Sequence, residues 1–147
     1  MKNTVTTIDT KEQIINVAER LFAEKGFAGT SLRNVIREAG VNIAAVHYHF
    51  GSKEELFIAV VRRVAQQVVI SQVEELSKYE NLEEPPSLEN ILEAFYGPPL
   101  RIITQMGEAG VVRAQFMGRC RAEPFPIQQL SDKEFHESQR RFLDILQ

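Results

Sequence analysis

Three glycines, Gly26, Gly40 and Gly51, each close a stretch in which apolar residues recur at helical spacing, so the first fifty residues divide into three helices. In the first helix Ile14, Ala18, Leu21 and Phe22 fall at i, i+4, i+7 and i+8, one face of a 3.6-residue period, with Thr10 as its expected cap. In the second, Thr30 is the expected N-cap, and Leu32, Val35, Ile36 and Ala39 repeat the spacing. The third opens at Asn42 and offers only Val46 and Phe50 as a narrow buried stripe, so the rest of it must face outward. Past Gly51, Ser52-Lys53-Glu54-Glu55 reads as a capping box that starts a long helix. Its apolar lines are Leu56, Val60, Val64 and Val68, with Phe57 and Val61 beside them, and it runs to about Tyr79.

The remainder is helical as well. A loop at 81–86 ends in Pro85-Pro86, Ser87 caps a helix with Leu88, Ile91, Leu92 and Phe95, and Gly97-Pro98-Pro99 is expected to interrupt it. Residues 100–106 and 109–122 follow as further helices, the second with Val112, Phe116 and Cys120 in line. Pro124 and Pro126 break the chain, and a capping box at Ser131–Glu134 is expected to begin the last helix. With no alternating strand segment, the expected fold is all-α. A three-helix head, residues 8–68, is joined through the long helix to a C-terminal helical bundle, residues 69–147.

Two short helices joined by a Gly-containing turn, after a longer supporting helix, make a helix-turn-helix, here residues 31–50. Ile43, Ala44 and Ala45 at the start of the third helix are small enough to let its backbone lie close to base edges in a major groove. His47 and Tyr48 lie on or beside the outward face and donate hydrogen bonds. The helix N-termini at Thr30-Ser31 and Ser52-Lys53 flank it with N–H groups for phosphates, and Lys53 adds a mobile positive charge. Charge agrees with this placement. The net charge of −3 splits into +2 over residues 1–70, nine Lys/Arg against seven acids, and −5 over the rest. A nucleic-acid contact would therefore belong to the N-terminal half, although +2 by itself is within the scatter of ordinary domains.

Residues 10–68, about two fifths of the chain, resemble the DNA-binding head of the TetR (tetracycline-repressor) family of bacterial transcription regulators. The segments that carry the resemblance are Ile14–Gly26 (IINVAERLFAEKG), Thr30–Gly40 (TSLRNVIREAG) and Val41–Leu56 (VNIAAVHYHFGSKEEL). The resemblance implies a homodimer on a palindromic double-stranded operator, released when a small ligand binds a variable C-terminal helical domain. It implies that Thr30 and Ser31 hold phosphates, that Asn42, Ile43, Ala44 and Ala45 read base edges, and that Lys53 holds a phosphate. His49 and Phe50 match the family's usual pair. His47 stands where many members have tyrosine, and Tyr48 is one place later; a histidine there can still hold a phosphate, so only the exact contact is left open. The family usually continues into two further long helices that build its dimer interface. This chain is therefore expected to be incomplete and, as it stands, monomeric or weakly paired.

For the effector, a small apolar or amphipathic molecule, the candidate lining is Phe95, Tyr96, Met106, Phe116 and Met117, with Phe125 nearby; for any single one of them an ordinary core position is the better reading. Cys120 reads as an inert buried thiol and Glu123 as solvated surface. His47 and His49, two apart, point to different helix faces, so no metal and no cofactor are expected. Nothing resembles a Ser/His/Asp order, a Gly-rich phosphate loop or an H-E-x-x-H pair, so an enzyme is not expected. No apolar run approaches the ~20 residues of a bilayer span. The absence of a signal peptide and the lone cysteine point to the cytoplasm, and a regulator there would associate with the nucleoid. The competing class is a helical protein-interaction module that does not bind DNA.

Overall fold

The computed structural model describes residues 2–147, with side chains from residue 10 onward. Those residues form seven helices and no strand: α1 (Lys2–Lys25), α2 (Leu32–Ala39), α3 (Ile43–His49), α4 (Lys53–Ser77), α5 (Leu88–Gln105), α6 (Glu108–Ala122) and α7 (Ile127–Leu146).

Local chemistry explains most of the boundaries. Ser31, Asn42, Ser52 and Ser87 each stand just ahead of a helix and accept the backbone N–H three residues on, at 2.9–3.2 Å. Gly40 ends α2 at φ +65, and the N–H of Val41 returns to the Ile36 carbonyl at 3.3 Å, closing the helix in a left-handed turn that disfavours a side chain. Three expected boundaries differ. Thr10 lies inside α1 instead of capping it, because nothing from Lys2 to Asp9 is a proline or glycine that would stop the helix. Ser31, not Thr30, caps α2. Ser131 lies inside α7, which starts behind Pro126, and its Oγ donates to the Gln128 carbonyl at 2.9 Å.

The largest difference is α5, which runs unbroken through Pro98 and Pro99. A proline at 99 cannot donate the N–H that would normally bond the Phe95 carbonyl. Gln72, buried on α4, fills the vacancy: its Nε2 donates to that carbonyl at 2.7 Å.

The main core lies under the head. Phe22, Phe27 and Phe57 meet with ring centroids 5.3–6.0 Å apart, over Val35, Val46, Val60 and Val64. Phe116 and Cys120 from α6 belong to this same cluster, with Phe116 only 1% exposed and its ring 5.9 Å from Phe57. The head thus completes its core with residues from beyond position 68. A second, smaller cluster joins Leu76, Ala94 and Phe95 to Phe142, whose ring stacks on Phe95 at 4.3 Å. Among the described residues α4 alone is long and apolar enough to match a bilayer span, contrary to the reading of the sequence as having no such run. Its apolar lines are nonetheless spent on the bundle, with Leu56, Val60, Val64 and Val68 all buried.

A buried charge cluster ties three helices together. Glu19 on α1, 5% exposed, accepts from Arg113 Nε of α6 at 3.0 Å and from Arg63 Nη2 of α4 at 3.3 Å. Arg63 also reaches Asn16 at 2.6 Å and Glu12 at 3.3 Å.

Candidate nucleic-acid interface

α3 is fixed from below and open above. Val46 is fully buried and Phe50 nearly so, the two anchors that the sequence spacing identified. Asn42 Oδ1 accepts the Ala45 N–H at 2.9 Å and holds the first turn. On the outer side Ile43 is 61% and Tyr48 82% exposed, and Ala44 and His47 are exposed with them. Ala45 is half-buried against the head. His49 is half-buried, its ring 5.1 Å from Tyr48 and 5.9 Å from Phe50. A two-turn helix with two buried anchors and a row of unburied apolar and hydrogen-bonding side chains has little reason to stay exposed in water, but it matches the floor of a major groove in size and chemistry. Beside it, α2 presents Ser31 at its N-terminus, with Arg33 and Arg37 exposed along it.

Two expected phosphate contacts are placed otherwise. Thr30 is only 2% exposed, and its hydroxyl donates to the carbonyls of Gly26 at 2.8 Å and Leu21 at 3.1 Å. Its side chain shapes the turn between α1 and α2 and is not available to a phosphate. Lys53 is not a mobile charge: its Nζ donates to the Phe27 carbonyl at 2.9 Å and lies 4.1 Å from the centre of the Phe27 ring.

The five candidate effector residues do not come together. Phe95 and Tyr96 line an open groove of about 1180 Å³ beside α7, with Phe142, Arg121, Lys133 and His136 also on its walls. Met117 lies in a separate small cleft with Cys120 and Phe135. Phe116 faces that cleft too, but it is packed into the head core. Met106 ends α5 on another side, and its sulfur accepts from Arg113 Nη1 at 3.6 Å. Phe125 is 74% exposed and lines neither space.

Sequence reasoning passed over the charged residues that join head to body, although the helical phase marks some of them. Glu19 falls on the buried line of Ile15 and Phe22, and Arg113 on that of Phe116 and Cys120. A charge on a buried line calls for a partner. Glu123, read as solvated surface, accepts the Phe27 N–H at 2.8 Å.

Two protein families match the chain: bacterial regulatory proteins, tetR family, over residues 14–60, and tetracyclin repressor-like, C-terminal domain, over residues 93–147. The HTH-type transcriptional regulator LmrA of Bacillus subtilis (strain 168) is 38% identical over 61 residues, which are 41% of this chain and 32% of that protein. The HTH-type nicotine-responsive transcriptional repressor HdnoR of Paenarthrobacter nicotinovorans is 37% identical over 67 residues, 46% of this chain and 34% of that protein. The chain spans about a third of the length of these curated relatives. Among solved structures, a transcriptional regulator (TerR/AcrR family) from Aquifex aeolicus VF5 superposes with a TM-score of 0.64 at 23% identity, covering 93% of this chain and 71% of that one, a likeness of fold.

Proposed function

The chain belongs to the tetR family of bacterial regulatory proteins, and on that premise we propose that it is a sequence-specific DNA-binding transcription regulator, a repressor that a small molecule releases from a palindromic operator. The observation that carries this reading is the outer face of α3. Ile43, Ala44, His47 and Tyr48 stand exposed on a helix whose position is fixed by Asn42, Val46 and Phe50. These residues read base edges, while the N-terminus of α2 at Ser31 takes a phosphate. Lys53 spends one of its three N–H donors on the Phe27 carbonyl and keeps the others for a phosphate.

A two-fold dimer would set two such helices in successive major grooves, roughly 34–36 Å apart. The HdnoR protein is, by its name, nicotine-responsive. For this chain the corresponding effector is a small apolar or amphipathic molecule, bound in the cytoplasm. The groove beside α7 suits it, with Phe95, Tyr96 and Phe142 for an apolar body and Arg121, Lys133 and His136 for a polar end.

Selection from random duplexes tests the reading. A two-fold-symmetric sequence should be enriched, and affinity for it should fall steeply with salt, as phosphate contacts require. Ala44→Glu, at an exposed position where the fold tolerates the change, should abolish binding by setting bulk and negative charge against the groove. Failure to enrich any duplex, or an Ala44→Glu chain that binds as tightly as the original, sinks the proposal.

A further inference from the structure

The end of α1 is held from outside the head. Helix ends leave carbonyls without an internal partner, and here a residue of α6 supplies one. Arg119 Nε donates to the Ala23 carbonyl at 3.2 Å, and its Nη2 donates to the Glu24 carbonyl at 2.9 Å. One helical turn later, the Glu123 carboxylate accepts the Phe27 N–H at 2.8 Å. Gly26 leaves room for both: at φ +74, a Cβ there would stand 3.2 Å from the Glu123 oxygen and 3.5 Å from the Arg119 guanidinium.

Phe27 is also held from the opposite side. Lys53, the first residue of α4, takes its carbonyl at 2.9 Å, and the ring packs against Phe22 and Phe57. One residue therefore has its N–H gripped by the end of α6 and its C=O gripped by the start of α4. Ser31, which opens α2, lies four residues after Phe27, and Phe50, which ends α3, lies three before Lys53. The carbonyl of Phe27 also accepts the Thr30 N–H at 3.3 Å, so its main chain connects the end of α6, the turn that leads into α2 and the start of α4.

We propose that Glu123 and Arg119 are positioning residues for DNA reading: from α6 they fix the main chain at Ala23–Phe27 and, through Phe27, the relative placement of α2 and α3. The inference rests on the DNA-binding reading above and deepens it. Exposed ion pairs between side chains contribute little. Charged side chains bonded to main-chain groups differ, because such bonds are short, directional and fix where the backbone lies.

Amide hydrogen exchange at Phe27, paired with affinity for the duplex selected above, tests this on the whole chain. In Glu123→Ala the Phe27 amide should exchange faster and operator affinity should fall about 5-fold or more. Glu123→Gln keeps an oxygen that accepts the same N–H, so it should restore both. A merely structural role for Glu123 would lower the unfolding midpoint of Glu123→Ala and leave the affinity of the folded chain for the operator unchanged. Should Glu123→Ala fail to fold, Arg119→Lys, which keeps one donor for two carbonyls, should fold and bind DNA with an intermediate loss. A Phe27 amide that Glu123→Ala leaves unchanged overturns the proposal, and so does a faster amide with unchanged operator affinity. A chain that enriches no duplex while showing the expected exchange pattern overturns the DNA-binding reading instead and leaves the grip purely structural.

Discussion

Cys120 sits in the core one helical turn from Phe116, and burial pushes its thiol up from the ordinary 9.0 to about 12, with the carboxylates of Glu123 and Asp132 adding to the effect. A group whose folded pKa is raised contributes stability that is complete below its unfolded pKa and is lost as pH rises towards the folded one. Here that window runs from about 9 to about 12. Lysines and tyrosines titrate in the same range, so the useful quantity is a difference. The gap in melting midpoint between the original chain and Cys120→Ala should narrow as pH rises from about 8.5 to about 10.5, because only the original has this thiol to ionise. A gap that stays constant across that range would mean the thiol does not couple to folding. The same burial agrees with the inert thiol read from its apolar line in the sequence. Thr30 is the contrasting residue. Its position before a helix looks like a cap, yet a hydroxyl turned inward to the carbonyls of Gly26 and of Leu21 in α1 cannot be told from one turned outward by sequence alone.

At the scale of elements, α2, α3 and the start of α4 were legible because each boundary is a local event: a serine or asparagine that accepts an N–H, and a glycine in a left-handed turn. α5 was not, because what keeps it whole is distant. Its two prolines leave main-chain carbonyls without donors, and the repair comes from Gln72, which no local pattern connects to residue 95. This gives a direct test. Gln72→Leu keeps the volume but removes the donor, leaving a buried carbonyl unpaired at a cost of about 1–3 kcal/mol. Since Gln72 Oε1 is itself buried without a partner, the net loss should fall near the lower end of that range. Urea unfolding measures it, and no loss at all would mean that water reaches the Phe95 carbonyl. The legible part of the candidate nucleic-acid interface follows the same division. The outward face of α3 came from the shortness of its buried stripe, whereas the tether on Lys53 depends on a carbonyl 26 residues away.

For the whole molecule, the Glu19 cluster makes head and body one unit. Glu19 is buried between Arg63 and Arg113, so it joins α1 to both α4 and α6. Removing one partner of a buried ion pair leaves a charge without compensation and typically costs about 3–5 kcal/mol. Arg63 remains on the other oxygen, so Arg113→Ala should fall towards the lower end, while Arg113→Ala combined with Glu19→Gln should recover part of the loss. Calorimetry should show a single transition for the original chain, because no core in it belongs to the head alone. Two separate transitions would contradict that.

The membership of Phe116 in the head core also has a consequence for the order in which the protein is made. Phe57 and the face of α1 that it meets leave the ribosome well before α6 exists. At roughly 5–20 residues per second, the stretch from Phe57 to Phe116 takes on the order of 3–12 s to synthesise. During that interval the helix-turn-helix has all of its own residues but not the aromatic side chain that closes its core. The nascent head therefore leaves the face of Phe57 uncovered until α6 has been made and Phe116 docks on it.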